Sequence, residues 1–144
     1  MPADSDAQPP PPELPEGHGF TFAPVDTADG EGRVMFGGDL GPATLVAAYR
    51  AGIFPMRQGD GRLAWWSPDP RAVIAPDRFH VTRSLRQSSR RFRTTVDAAF
   101  EAVVEGCADR PEGAYHWITP EIRHAYLNLH RLGWAHSVET WTVA

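Results

Sequence analysis

The residues best suited to chemistry in this sequence are the arginines between positions 78 and 96. The stretch "RFHVTRSLRQSSRRFRTTV" contains six arginines and no acidic residue, in a chain whose formal net charge is −4. Arg83, Arg86 and Arg90 follow i, i+3 and i+7 spacing, so they would share one side of a helix. Phosphate binding needs a local positive field and not a basic protein overall. The stretch is therefore a candidate for contacts to a phosphate backbone, and from the residues alone the simpler interpretation of a solvated helix face stays open.

A second candidate is the tryptophan pair in "GRLAWWSPDPRAV", residues 61–73. Neighbouring side chains on a strand point to opposite faces, so the two rings cannot share one core. We expect one ring to fill the core and the other, exposed at a domain junction, to help wall a ligand site.

The cysteine and histidine residues do not predict a metal centre. Cys107, His116, His124, His130 and His136 lack spacings such as C-x2-C or H-E-x-x-H. A single cysteine also excludes an internal disulfide and favours a reducing compartment. We see no secretory signal and no apolar stretch of the roughly 20 residues that cross a bilayer, so no membrane partner is expected.

The elements that would position these residues can be read from periodicity and capping signals. Residues 1–19 are rich in proline and acid and predict a disordered tail. Helices are predicted at 41–52, from Thr82 through the arginines, at 97–108 with Asp97 as N-cap, and from Thr119 to Gly133. Strands are predicted for "LAWW", "AVIA", "FRTTV" and "AHSVETWTVA".

This alternation of helices and strands suggests an α/β or α+β domain. The last predicted strand has nothing after it to supply a second neighbour, so the sheet looks incomplete and the pattern suggests a fragment.

Six segments in the same order and spacing closely resemble the leucyl/phenylalanyl-tRNA–protein transferase family. They are "GGDLGPATLVAAYRAGIFPM", "WWSPDPRAV", "FHVTRSLR", "DAAFEAVVEGCA", "HWIT" and "AYLNLHRLGWAHSVETW". The resemblance implies an α+β fold with a small N-terminal domain, here 20–70, and the start of an acetyltransferase-like (GNAT-like) domain at 71–144.

The resemblance also implies an activity. This bacterial, cytoplasmic family moves leucine or phenylalanine from the charged tRNA to the N-terminal arginine or lysine of a protein, which marks that protein for degradation. It uses no cofactor, because the aminoacyl ester is already activated. A monomer is expected. The partners implied are Leu-tRNA or Phe-tRNA and the acceptor protein.

The family likeness assigns roles residue by residue. It implies that Tyr49, Met56, Trp66 and Trp117 lie near the aminoacyl-adenosine end of the donor, and that Arg83, Arg86, Arg90 and Arg91 face the tRNA acceptor stem. Met56 stands where many members have tryptophan. Tyr126 is expected to pack in the core instead. The family's catalytic residues are expected after "HSVETW", so none is assigned here.

Two other functions remain open from the residues themselves. The chain could be a tRNA acceptor-stem binder without transfer activity, or a structural remnant with neither property. Salt-sensitive tRNA binding without peptide product would favour the binder.

Overall fold

The computed structural model describes residues 12–13, 20–111 and 116–143 and has a mixed α+β architecture. The predicted disordered tail, residues 1–19, lies outside the described residues except for positions 12 and 13. The strands are β1 Arg33–Phe36, β2 Phe54–Arg57, β3 Leu63–Trp66, β4 Phe92–Val96 and β5 Val138–Thr142. The helices are α1 Pro42–Arg50, α2 Arg83–Ser89, α3 Phe100–Ala108 and α4 Pro120–Arg131, with short 3-10 turns at Val25–Thr27 and Pro76–Arg78.

The first three strands form an antiparallel sheet in the order β1–β3–β2. The tryptophan strand β3 is therefore central, with Trp65 opposite Met35 on one side and Pro55 on the other. The "LAWW" strand is confirmed. Its two neighbours in the sheet were not predicted as strands: "RVMF" is β1 and "FPMR" is β2.

Both tryptophan rings are buried, which corrects part of the prediction. Trp65 has no exposed surface and its indole N–H donates to the Gly37 carbonyl over 2.7 Å, while Phe20 and Phe22 pack beside it. Trp66 was expected to be exposed, but only 9% of its surface is accessible. Its indole N–H faces the Met56 carbonyl at 3.4 Å across the sheet.

Helix α1 begins and ends where its signals predict. Pro42 occupies the first turn, and Gly52 adopts φ +75° just after the helix. Leu45 and Ala48 are fully buried, whereas Tyr49 lies at the edge of that face with 49% of its surface exposed.

The core joins α1 and the first sheet to α4. Its buried members are Leu45, Val46, Ala48, Ile53, Trp65, Ala125 and Leu129. Because Ala125 and Leu129 come from α4, residues on both sides of position 70 contribute to one apolar cluster.

Helix α4 also follows its sequence signals. The Thr119 hydroxyl caps the helix by accepting from the Ile122 N–H at 3.4 Å, Pro120 occupies the first turn, and Gly133 follows the helix at φ +76°. Its buried stripe is Ile122, Ala125 and Leu129. Among the described residues, no helix has the length and apolar character needed to span a bilayer.

Two local predictions are wrong. "AVIA" is not a strand: Val73 and Ile74 are 82% and 77% exposed, and Pro76, which lacks an N–H, begins a 3-10 turn directly after it. Asp97 does not cap α3, because Ala99 holds the N-cap position and Asp97 adopts φ +56°.

The second sheet is the antiparallel pair β4–β5, with Phe92 opposite Thr142 and Val96 opposite Val138. This confirms strands at "FRTTV" and within "AHSVETWTVA". Each strand has one strand neighbour within the described part of the chain.

Candidate functional site

The arginine stretch forms a short exposed helix that leads into β4. Helix α2 starts after Thr82, whose hydroxyl accepts from the Leu85 N–H at 3.1 Å, as the sequence predicted. Arg83 and Arg86 lie on the helix, and Arg90 is its C-cap residue. A capped turn of helix thus holds three cations at the spacing of one side.

The four predicted phosphate-binding arginines are exposed. Across the described ranges, none of Arg83, Arg86, Arg90 and Arg91 has a carboxylate oxygen within ion-pair distance. By contrast, Arg123 contacts two glutamates of α3, Glu101 at 2.8 Å and Glu105 at 2.6 Å. The exposed arginines therefore keep their full charge available for an anion from outside.

An apolar cavity of about 500 Å³ opens between α1, α4 and the segment after α4. It is lined by Val46, Tyr49, Arg50, Phe100, Tyr126, Leu129, Trp134, Ala135 and His136. Its walls are aromatic and aliphatic, with a cation and an imidazole at the rim, which suits a ligand that joins an apolar group to a polar one.

The cavity contains a pair of tyrosines from different helices. The Tyr49 and Tyr126 hydroxyls share a short hydrogen bond, and their rings meet edge to face with centroids 6.3 Å apart. Burial raises the pKa of Tyr126 well above its ordinary value, and the nearby Tyr49 adds to that effect. Burial likewise raises the pKa of Tyr49, against the opposing effect of the hydrogen bond with Tyr126. Both phenols are therefore neutral at pH 7 and act as hydrogen-bonding groups.

A smaller cavity of about 200 Å³ also has Tyr126 in its lining. Trp117 and Ile118 line it together with residues of α3 and α4, and it shares Phe100, Tyr126 and His136 with the larger cavity. Periodicity assigned Tyr126 to the packing stripe of α4. A helical stripe has the same spacing whether it faces a solid core or a cavity, so the sequence carried no signal for this placement.

The four residues expected at the aminoacyl-adenosine end lie at three separate positions in the structure. Tyr49 lines the larger cavity and Trp117 the smaller one, whereas Met56 and Trp66 are adjacent in the first sheet. The structure thus brings Tyr49 and Trp117 to two cavities that share the Tyr126 wall.

A buried carboxylate that the sequence analysis missed ties the second sheet to α3. Glu139 is 5% exposed and accepts hydrogen bonds from the hydroxyls of Thr95 and Ser137 and from the N–H groups of Ala98 and Ala99. The hydroxyl of Ser137, followed by that of Thr95 and by the two N–H groups, lowers the pKa of Glu139, so it is ionised at neutral pH.

Asp97 and His136 form a second polar contact beside the cavities. The His136 Nδ1–H donates to Asp97 over 2.7 Å, and Nε2 lies 3.2 Å from the Gly133 carbonyl. The hydrogen bond to Asp97 raises the pKa of His136 and lowers that of Asp97. Since both ring nitrogens face acceptors, the arrangement favours the imidazolium form.

Comparison with known proteins shows the family to which this sequence belongs. The family model for the leucyl/phenylalanyl-tRNA protein transferase matches residues 73–144, and the model for the N-terminal domain of that transferase matches residues 38–69. Three curated relatives carry the name leucyl/phenylalanyl-tRNA–protein transferase. The protein of Aromatoleum aromaticum is 51% identical over 125 residues, which is 83% of this chain. Those of Anaeromyxobacter sp. and Oleidesulfovibrio alaskensis are each 50% identical over 84% of it.

This chain belongs to the leucyl/phenylalanyl-tRNA–protein transferase family. It spans about half the length of these curated relatives: 53%, 53% and 50% of the three transferases respectively. The match to the N-terminal domain model, residues 38–69, contains α1, β2 and β3, and the match at residues 73–144 contains α2 to β5. The larger cavity therefore has walls from both matched regions, through Tyr49 of the first and Tyr126 of the second.

Proposed function

We propose that this chain carries the tRNA-facing part of an aminoacyltransferase. The enzyme would move leucine or phenylalanine from aminoacyl-tRNA to the N-terminal arginine or lysine of an acceptor protein. One observation carries the proposal: four exposed arginines without described carboxylate partners lie in a chain about 50% identical to curated transferases. The tRNA donor has a phosphate backbone, and exposed arginines are the groups that can bind it.

The reaction needs little beyond orientation, because the donor is an activated ester. The acceptor α-amine attacks the aminoacyl carbonyl and a C–N bond forms. The ester C–O bond breaks, and the proton lost by the amine ends on the departing 3′-hydroxyl of the tRNA. Holding the two reactants in line supplies much of the rate enhancement. No catalytic residue is assigned to this chain. From the family resemblance, we expect the catalytic residues in a part of the transferase that this chain does not span.

The donor would be held at two places. Arg83, Arg86, Arg90 and Arg91 would contact backbone phosphates of the acceptor stem, and such contacts are blind to base sequence. Tyr49, Met56, Trp66 and Trp117 would lie near the aminoacyl-adenosine end, where aromatic rings stack on adenine and surround an apolar side chain. The cavity lined by Tyr49 supports the apolar part of this assignment.

The finer assignments follow the family resemblance. We infer a small N-terminal domain at 20–70 and a GNAT-like domain that begins at 71. Tagging acceptors for degradation, a cytoplasmic location and a monomeric state belong to the same proposal.

A covalent chimera tests the function directly. This chain would replace the matched region of the A. aromaticum transferase, and the resulting chimera would be assayed for transfer of labelled leucine to an arginine-initiated peptide. We expect product from the chimera and little or none from the 144-residue chain. A chimera that binds tRNA in a salt-sensitive way but forms no product would favour the alternative, a tRNA acceptor-stem binder. A chimera with neither property would contradict both.

A further inference from the structure

The segment that follows α4, residues 133–137, forms one wall of the larger cavity, and we name it the wall segment. Its residues Trp134, Ala135 and His136 line the larger cavity, and His136 lines the smaller one as well. The described backbone of the wall segment belongs to no helix or strand, since it lies between the end of α4 and the start of β5. Its polar groups therefore need partners other than a regular ladder to hold it in one shape.

Asp97, the residue directly after β4, binds the wall segment at three points. One carboxylate oxygen accepts from the Ser137 N–H over 2.8 Å, and the other accepts from the His136 Nδ1–H over 2.7 Å. The Asp97 N–H donates in turn to the Ser137 carbonyl over 3.0 Å. Each polar group of Asp97 that can reach the wall segment thus has a partner in it.

The backbone of Asp97 is held in an uncommon conformation by these contacts. Its φ of +56° is left-handed, which costs free energy for a residue other than glycine, although aspartate tolerates it better than most. Such a conformation persists where the surroundings over-determine it, and it often marks a functional position. Asp97 is not among the residues that line either cavity, so any effect on a ligand passes through Ser137 and His136.

The His136 ring is held between two acceptors. Nδ1 faces the Asp97 carboxylate, and Nε2 lies 3.2 Å from the Gly133 carbonyl. A neutral imidazole carries one N–H and would turn a lone pair toward one of these acceptors, whereas the imidazolium donates to both. The contacts on both sides of the ring therefore require the protonated form.

Other charged or titratable groups lie around this ring or its partners. They are Tyr49 and Arg50 of α1, Cys107 of α3, Tyr126 and His130 of α4, and Glu139 of β5, which accepts from the Ser137 hydroxyl. Arg50 keeps its charge throughout the neutral range. The raised pKa values of the two tyrosines keep them neutral there, and Glu139 is ionised.

His130 is the second imidazole near Asp97, with its Nδ1 3.8 Å from a carboxylate oxygen. Its Nδ1–H donates to the Ala135 carbonyl over 2.8 Å. A neutral imidazole can carry its proton on Nδ1, so this contact survives deprotonation of the ring. His136 is thus the imidazole whose contacts depend on protonation.

We propose that Asp97 is a positioning residue for the aminoacyl donor, because it fixes the wall segment in the shape that the donor's aminoacyl end occupies. The inference rests on the proposed function, which places that end in the larger cavity. When His136 loses its proton, the contact with Gly133 or with Asp97 is broken and the cavity loses a fixed wall. Donor affinity is therefore complete below pH 6.5 and falls as the pH rises through the raised pKa of His136.

The test is binding of a stable donor analogue, phenylalanyl-adenosine with an amide in place of the ester. Its affinity is measured by calorimetry for the 144-residue chain and for the chimera. Between about pH 5 and 8 the affinity should fall about tenfold, the effect of losing one charge-assisted hydrogen bond. Circular dichroism at each pH shows that the protein stays folded.

Asp97→Asn should reverse this pH dependence. Asparagine tolerates the same backbone conformation, and its carbonyl still accepts from the Ser137 N–H. Its amide N–H then faces Nδ1 of His136, which suits a neutral ring that donates from Nε2 to Gly133. The variant should bind the analogue more weakly at acid pH than at alkaline pH. A residue that served the fold alone would not reverse the profile.

Asp97→Gly separates the carboxylate from the backbone. Glycine adopts a positive φ without cost, so this change removes the two carboxylate contacts but not the local conformation. Below pH 6.5 we expect about tenfold weaker binding and a similar loss of protection of the Ser137 amide against hydrogen exchange.

Two control variants remove the other groups that could titrate in this range. His130→Asn keeps a donor near the Nδ1 position for the Ala135 carbonyl, and Cys107→Ser removes the thiol. Both should retain the fall in affinity with rising pH. If either variant abolishes that fall, the pH dependence belongs to the residue replaced and not to His136.

An Asp97→Asn profile parallel to that of the wild type would overturn the proposal. So would a Ser137 amide that stays protected in Asp97→Gly. An analogue that binds neither the chain nor the chimera would remove the donor from this cavity and with it the positioning role. Transfer by the chimera and salt-sensitive tRNA binding are measured separately, so failure of this inference and failure of the proposed function are distinguishable.

Discussion

Tyr49 and Tyr126 are 77 residues apart in the sequence, yet their hydroxyl groups share a hydrogen bond inside the larger cavity. Tyr49 comes from α1 and Tyr126 from α4. The pair thus joins the two regions that match the family separately, and it lies in the cavity that we propose for the donor's apolar end.

The tyrosine pair should be coupled in stability. Tyr126→Phe removes one hydroxyl and leaves the Tyr49 hydroxyl without that partner, so we expect a loss of about 1 kcal/mol. Tyr49→Phe should have a similar effect. The double variant should lose less stability than the sum of the two single losses, because each single change breaks the same hydrogen bond. Urea unfolding of the four proteins measures this coupling. Strict additivity would show that the hydrogen bond does not contribute in solution.

The exposed arginines should set the salt dependence of tRNA binding. Replacing Arg83, Arg86 and Arg90 by glutamine should weaken binding and reduce the slope of log K against log salt by roughly 0.7–0.9 for each phosphate that is no longer neutralised. Filter binding at several salt concentrations measures the slope. Arg62→Gln is the matched control, because Asp60 already pairs with Arg62 at 2.6 Å. Equal slopes for the triple variant and the wild type would reject the phosphate assignment.

Trp65 should be the more important of the two tryptophans for stability. Its ring is fully buried among the core residues, so Trp65→Ala should cost about 3–5 kcal/mol, much of the stability of a domain this size. Trp65→Phe keeps an aromatic ring but loses the hydrogen bond to Gly37, and it should cost less. Denaturant midpoints compare the variants. A Trp65→Ala protein as stable as the wild type would contradict the placement of this ring.

The contact between Asp97 and His136 should make the stability of the protein depend on pH on both the alkaline and the acid side. The pKa of His136 is raised above its ordinary value of 6.5. Its contribution is therefore complete below pH 6.5 and is lost as the pH rises through the raised value. The pKa of Asp97 is lowered below 3.8, so its contribution is complete above pH 3.8 and is lost as the pH falls through the lowered value.

His136→Gln isolates the alkaline side of this profile. In the wild type, the urea midpoint should fall as the pH rises above 6.5, and in this variant that fall should be absent. The fall of the midpoint at acid pH that comes from protonation of Glu139 should remain. His124→Gln, at an exposed position on α4, is the control and should keep the wild-type profile. An unchanged alkaline limb in His136→Gln would show that this contact does not contribute.

Local signals in the sequence determined much of the helical structure. Thr82 and Thr119 as caps, Pro42 and Pro120 in first turns, and the stops at Gly52 and Gly133 were predictable, because each depends on neighbouring backbone groups alone. The arginine spacing on α2 and the family were likewise evident from the sequence.

Only the tertiary structure decided the strands, the burial and the contacts that depend on residues far apart in the sequence. "RVMF" is a strand because β3 lies beside it, "AVIA" is not one because it has no such neighbour in the described chain, and Trp66 is buried because the sheet carries it inward. The buried Glu139 and the meeting of Tyr49 with Tyr126 arise in the same way. Spacing along a chain reports which residues share a face, but the element that covers that face is set by packing between segments far apart in sequence.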